Sequence, residues 1–159
     1  MKVLAIDPGY DRCGVAIMEL VDGREILHFS TCIETDRKAE LPHRLHHIGR
    51  ELATIIKTYT PDCLGIETLF FNKNITTGIG VAQARGIILY LAQEAGLTIY
   101  EFGPQEVKVA VTGHGGSDKQ AVYTMVERLV KGVPEKAKDD EYDAIAVGIT
   151  TLAQHGRGR

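Results

Sequence analysis

The stretch that decides the fold is MKVLAIDPGYDRCGVAIMEL, residues 1–20. An apolar run from Val3 to Ile6 ends on one acid, Asp7, and breaks at Pro8-Gly9; a second apolar run, Cys13 to Met18, returns from the turn. Strand interiors disfavour Asp, so this carboxylate marks the point where the first strand leaves the core. Asp22-Gly23 is a second reversal signal and leads into a third strand. The expectation is an antiparallel meander of strands over about 2–7, 12–20 and 24–34. An acid at a strand end beside a turn is either a turn residue or a working group, and this stretch alone leaves both open.

Further along, Leu41, Leu45, Ile48, Leu52, Ile55 and Tyr59 recur at spacings of three and four, with Arg44, Arg50, Glu51 and Lys57 between them. This predicts an amphipathic helix over about 40–59, closed by Pro61. DCLGIE, residues 62–67, is a short strand that again ends on an acid, Glu67. A helix over about 75–95, a strand at 97–102 and helices at about 104–111, 118–130 and 140–154 follow, with a linker at 132–139. The order implies an α/β fold, a five-stranded mixed sheet flanked by helices. Right-handed crossovers place the first strand beside the fourth in the middle of the sheet. Asp7 and Glu67 then end neighbouring parallel strands.

The 159 residues suit a single domain over 1–155, with a short basic tail at 156–159. No segment has the length and apolarity of a membrane span, and the N-terminus lacks a signal-peptide pattern, so a cytoplasmic protein without a membrane partner is expected. Cys13, Cys32 and Cys63 are odd in number and scattered. They read as buried thiols in a reducing compartment, not as a disulfide or zinc framework. The net charge of −3 argues against a generic nucleic-acid coat but leaves room for acids gathered around metal. Two bound divalent ions would bring it to about +1.

The last helix opens on such acids, in DDEYDAIAVGIT, residues 139–150. Asp140 and Asp143 are three apart and share a face. Acids in a helix's first turn are also favoured by its dipole, so the segment alone carries little. Together with Asp7 and Glu67, however, it makes four carboxylates that would repel one another without cations. Hard oxygen donors suit Mg²⁺ or Mn²⁺, and paired ions about 3.5–4 Å apart serve phosphodiester cleavage.

At this point the chain resembles the RuvC family of Holliday-junction resolvases over nearly its full length. The matching stretches are IDPG (6–9), IETLFFNKN (66–74), AQARG (82–86), VKVAVTGHGGSDKQAV (107–122) and DDEYDAIAVGIT. The resemblance implies a ribonuclease-H-like fold and a homodimer that nicks four-way DNA junctions in symmetric pairs, leaving 5′-phosphate and 3′-hydroxyl ends, in recombination and repair. It puts the catalytic, metal-holding acids at Asp7, Glu67, Asp140 and Asp143, with two Mg²⁺ per subunit and Mn²⁺ as a substitute. Asp139 and Glu141 leave a one-residue shift of the third acid open, and in some members that position is His. The implied mechanism is in-line attack of metal-activated water; Asp7, alone at the end of the middle strand, is read as the bridging ligand, and Asp143 or Asp140 as the acid that orients the water. The RuvA and RuvB branch-migration proteins are implied partners.

Phe70 and Phe71 are adjacent, so an extended chain exposes one of them unless both cap the core. The resemblance makes Phe70 the exposed aromatic that stacks near the junction, with Lys73 and Asn74 on phosphates. In VTGHGGSDKQAV, residues 111–122, Ser117 reads as a helix N-cap with Gln120 completing a capping box. Such a helix start also suits phosphate, with His114 and Lys119 close by. Lys108 and Lys119 match basic family positions beside the active site. Between Ile75 and Gln93, Arg85 is the single charge, so that helix has almost no polar face. Ile79, Ala82 and Gly86 are placed on a seam with a twin helix in a homodimer. His43, His46 and His47 read as solvated surface.

Three rivals differ in class. An actin-like ATPase or sugar kinase shares the strand-Asp-x-Gly turn but needs two such domains, for which the chain is too short. A junction-binding scaffold would tolerate loss of acids, yet all four are present. A monomeric RNA-strand nuclease of the same fold lacks a reason for FFNKN and the apolar helix.

Overall fold

Alternation along the first strand sorts the molecule into two layers. A computed structural model describes residues 1–69 and 75–156, apart from the side chains of 75–77. Its elements are β1 (Lys2–Asp7), β2 (Arg12–Val21), β3 (Arg24–Glu34), α1 (Leu41–Tyr59), β4 (Cys63–Glu67), α2 (Ile75–Glu94), β5 (Thr98–Phe102), α3 (Pro104–Thr112), α4 (Lys119–Leu129) and α5 (Asp139–His155). The strands form one sheet in the order β3-β2-β1-β4-β5. The first three are antiparallel, and β1, β4 and β5 are parallel. The expected mixed sheet, with β1 and β4 adjacent at its centre, is what forms.

Leu4 and Ile6, with Ile17, Leu64 and Ile66, face α1 and α2, where they meet Ile48, Leu52, Ala84 and Ile88. Val3 and Ala5, with Ala16, Met18 and Cys63, face α3, α4 and α5 through Val107, Val122, Ile145 and Val147. Period-two side chains therefore build two cores, one on each face of the sheet. Ile48, Leu52, Ile145 and Leu152 are each at most 1% exposed. Side chains of this size contribute roughly 1.5–3 kcal/mol each on burial.

Local chemistry departs from expectation in a few places. The N-cap expected at Ser117 is supplied by Asp118, whose Oδ1 accepts the Ala121 amide at 2.8 Å. Asp and Ser are near-equal caps, but the helix starts at Lys119, which puts Asp118 at the cap position, where its carboxylate also suits the dipole. Ser117 Oγ instead meets Thr112 Oγ1 at 2.8 Å. Arg44, read as part of the polar face of α1, is buried. Cys13 and Cys63 are buried thiols, whereas Cys32 is half-buried. His43, His46 and His47 lie on the exposed side of α1. Among the described residues no helix is long and apolar enough to cross a membrane.

The apolar helix α2 buries one stripe, Gly80, Ala84, Ile88 and Ala92. Its other side is open in the single chain: Ile79 is 53% and Tyr90 64% exposed, and Gln83 and Gly86 lie between them. Ala82 is half-buried.

Candidate active site

Strand register brings the first two acids together. Ile6 pairs with Ile66 across β1 and β4, so Asp7 and Glu67 follow at the ends of adjacent strands, about 4.8 Å apart in the sheet. The two isoleucines face α1 and α2, hence the acids one residue on face α5. Asp7 also lies opposite Gly14 on β2. A Cβ on Gly14 would stand 1.8 Å from the carbonyl oxygen of Asp140, so the absence of a side chain lets the first turn of α5 rest on the sheet beside Asp7. This close approach sets the phase of α5.

That phase separates the clustered acids of the helix start. Glu141 turns to β3: its Oε2 accepts the Ser30 hydroxyl at 2.7 Å, and its Oε1 accepts the Lys138 amide at 3.1 Å. Asp139 stays at the surface, its side chain 63% exposed and 3.7 Å from the Lys119 ammonium. Asp140 and Asp143 point towards the strand ends, their side chains 15% and 29% exposed. Of the three candidates for the third acid, Asp140 is the one that turns to the strand ends.

Burial and mutual repulsion govern the electrostatics. Burial, then the charges of Asp143, Glu67 and Asp140, push Asp7 up from 3.8 to about 8; Lys119 opposes this. Glu67 is pushed up to about 6 by burial and by Asp143, against Lys108 and Lys119. Asp143 is also raised, by burial, although Lys119 holds it at 3.1 Å. For Lys119, burial works against the charge, but its bond with Tyr123 and the Asp143 carboxylate prevail and raise it. Its ammonium lies 5.4 Å from the Tyr123 ring centroid.

Glu67, Asp143, Lys108 and Lys119 line a cavity of about 230 Å³, walled by Pro104, Val107, Val122 and Ala146. It is where an anionic group would meet both lysines. His114 is exposed and does not line it. Phe70, Lys73 and Asn74 lie outside the described residues.

Arg12 carries no signal in the sequence that marks it for the site. Its Nε lies 3.1 Å from Asp140 Oδ2, and Cys32 Sγ lies 3.8 Å from the same oxygen. Arg85, the single charge of α2 before Glu94 at its end, reaches the Glu67 carbonyl oxygen from Nε at 3.4 Å and pairs with Glu101. For Arg85 a signal is present, since a single charge in an apolar helix requires a partner.

Among the described residues no three His, Cys, Asp or Glu side chains lie close enough to hold a metal ion as they stand. Asp140 is turned to Arg12 and Asp143 to Lys119. The donor set nonetheless fits a hard divalent cation: four carboxylates gather at the ends of the central strands, and one of them, Asp7, is driven towards neutrality for want of positive charge. Gathering an ion requires Asp140 and Asp143 to exchange or share their present basic partners.

Comparison with known proteins points one way. The family model described as crossover junction endodeoxyribonuclease RuvC matches residues 3–151. A crossover junction endodeoxyribonuclease RuvC of Thermosipho melanesiensis is 41% identical over 148 residues, covering 92% of this chain and 94% of the relative. That of Brevibacillus brevis is 37% identical over 152 residues, covering 94% and 90%. Among solved structures, Thermus thermophilus RuvC in complex with Holliday junction substrate superposes with a TM-score of 0.89 at 26% identity, covering 98% of this chain and 96% of that one.

Proposed function

This chain belongs to the RuvC family of crossover junction endodeoxyribonucleases, and from that premise we propose that it resolves four-way DNA junctions in recombination and repair. It does so by paired symmetric nicks that leave 5′-phosphate and 3′-hydroxyl ends. The observation that supports this reading is the gathering of Asp7, Glu67, Asp140 and Asp143 at the ends of the central strands, beside a cavity lined by Lys108 and Lys119.

In this reading the four acids hold two divalent ions per subunit, Mg²⁺ with Mn²⁺ as a substitute. When bound, such ions supply Lewis-acid stabilisation and lower the pKa of water. Asp7, the acid on which the charges of the other three converge, would be a central ligand to these ions. Asp143, which pairs with Lys119, or Asp140 would orient the attacking water. Lys108 and Lys119 neutralise the phosphate at the cavity mouth, and His114, at the loop before α4, adds a contact to the DNA backbone. Phe70 stacks on a base at the branch, and Lys73 and Asn74 hold its phosphates.

Symmetric cutting requires two sites, and the exposed side of α2, with Ile79, Ala82 and Gly86, supplies the seam of a homodimer. The RuvA and RuvB proteins are its partners at the junction, and the cytoplasm is its compartment.

The test is a labelled synthetic four-way junction against a matched linear duplex, each with Mg²⁺ and with EDTA. Paired nicks in the junction alone, lost in EDTA and in Asp7→Asn with binding kept, are the expected result. Binding without cutting by the unaltered protein moves the reading to a scaffold. Equal cutting of the duplex removes the junction selectivity.

A further inference from the structure

The turn behind Asp7 is anchored far beyond what a Pro-Gly reversal needs. Arg44 on α1 is 8% exposed. Its Nη2 donates to the Tyr10 carbonyl oxygen at 3.1 Å and to the Asp11 carboxylate, and its Nε donates to the Thr35 hydroxyl at 2.9 Å. Thr35 Oγ1 donates in turn to the Tyr10 carbonyl at 2.6 Å, and the Thr35 amide donates to the Asp11 carbonyl at 3.0 Å. A buried guanidinium is costly unless its donors are met, and here they are spent on Tyr10 and Asp11, just past Asp7 in the chain, and on Thr35, which itself bonds the same two residues.

The Tyr10 ring is held from two helices. The Arg44 guanidinium carbon lies 4.8 Å from its centroid. From α2, a Cβ on Gly80 would stand 2.8 Å from ring atoms Cδ1 and Cε1. That distance is too short for any real side chain, so Gly80 is a seat shaped to the ring. The same turn leads into β2 at Arg12 and Gly14, the residues that meet Asp140. Displacing it would therefore shift Asp7 relative to the first turn of α5.

We propose that Arg44 and Tyr10 are positioning residues for the nuclease reaction. They hold the turn behind Asp7 where its carboxylate can join Glu67, Asp140 and Asp143 around a divalent ion, and Gly80 registers that turn against α2. The proposal rests on the four-acid reading of the site. Residues that orient metal ligands from behind typically change metal affinity or activity by roughly 10- to 100-fold when removed.

The probe is Mn²⁺ alone, titrated into junction-free protein at pH 8 and followed by the electron paramagnetic resonance of the free ion. The variants are Arg44→Met, Arg44→Lys, Tyr10→Ala, Gly80→Ala and the Tyr10→Ala/Gly80→Ala double variant, with thermal unfolding recorded for each. The expected result is Mn²⁺ binding weakened roughly 10- to 100-fold in Arg44→Met and in Gly80→Ala. The Mg²⁺ concentration for half-maximal junction cleavage should rise by a similar factor, while junction affinity in EDTA is kept. Arg44→Lys recovers little, because an ammonium on a flexible stem does not reproduce the planar fork. Gly80→Ala adds nothing on the Tyr10→Ala background, since the ring it displaces is gone.

Unchanged Mn²⁺ affinity in Arg44→Met, with a lowered melting temperature, makes Arg44 a support of the fold and overturns the proposal. If Arg44→Met does not fold, Gly80→Ala and the double variant decide: an equal Gly80→Ala effect with and without Tyr10 overturns it. If the unaltered protein binds no Mn²⁺, the four-acid reading falls and takes this proposal with it. If the unaltered protein binds Mn²⁺ and all variants bind it equally, only this proposal falls.

Discussion

Replacing Asp7 with Asn should change how stability depends on pH, in a direction opposite to the usual behaviour of carboxylates. Asp7 sits at about 8 in the folded chain against an ordinary 3.8, from burial and from the charges of Asp143, Glu67 and Asp140. The folded state therefore binds a proton that the unfolded state has released throughout the window between those values. Stability associated with Asp7 is complete below pH 3.8 and is lost as pH rises towards 8. At 1.36 kcal/mol per unit, the loss between pH 5 and pH 8 is about 3–4 kcal/mol. For a chain of this size that corresponds to a fall in melting temperature of roughly 10 °C. The amide introduced by Asp7→Asn has no such proton to lose, and the remaining groups are common to both proteins. The measurement is the melting temperature in EDTA across pH 5 to 8, followed by circular dichroism. The gap between Asp7→Asn and the unaltered protein should widen in favour of Asp7→Asn as pH rises. Adding Mg²⁺ at pH 8 should close the gap by stabilising only the unaltered protein. Parallel melting curves across the pH range would refute the claim that Asp7 is buried among uncompensated acids.

Gly14→Ala places a methyl group 1.8 Å from the Asp140 carbonyl oxygen and must lift the first turn of α5 from β2. A loss of about 1–3 kcal/mol in urea unfolding is expected, together with loss of cleavage; unchanged stability would show that α5 is seated elsewhere. Ile79→Asp puts a charge on the open face of α2, where Ile79 is 53% exposed in the single chain. Sedimentation should then report a folded monomer, and a dimer of unchanged affinity would remove Ile79 from the seam.

Much of this architecture is readable from residue order. The antiparallel meander follows from the breaks at Pro8-Gly9 and Asp22-Gly23, and the two-layer sorting of β1 follows from Val3, Leu4, Ala5 and Ile6 alternating between faces. Asp7 and Glu67 stand out because each interrupts an apolar run at its end. Lys108 and Lys119 are singled out by the family resemblance, and both line the cavity that Glu67 and Asp143 also line. The N-cap falls on Asp118 and not on Ser117 because Ser and Asp are near-equal caps, and only the helix's docked start at Lys119 chooses between them.

What the sequence determined by itself is everything carried by local pattern: the elements, their order, which strand faces are apolar, and the two acids at strand ends. Tertiary structure alone decided which acids of Asp139, Asp140, Glu141 and Asp143 turn inward, because helix phase depends on how closely α5 settles over Gly14. It also decided that Arg44 leaves the polar face of α1 to bind the turn behind Asp7, and that Arg12 meets Asp140. Period and propensity act between near neighbours along the chain. A buried cation's partner and a helix's rotation are settled by groups tens of residues away, which meet only when the two layers close on the sheet.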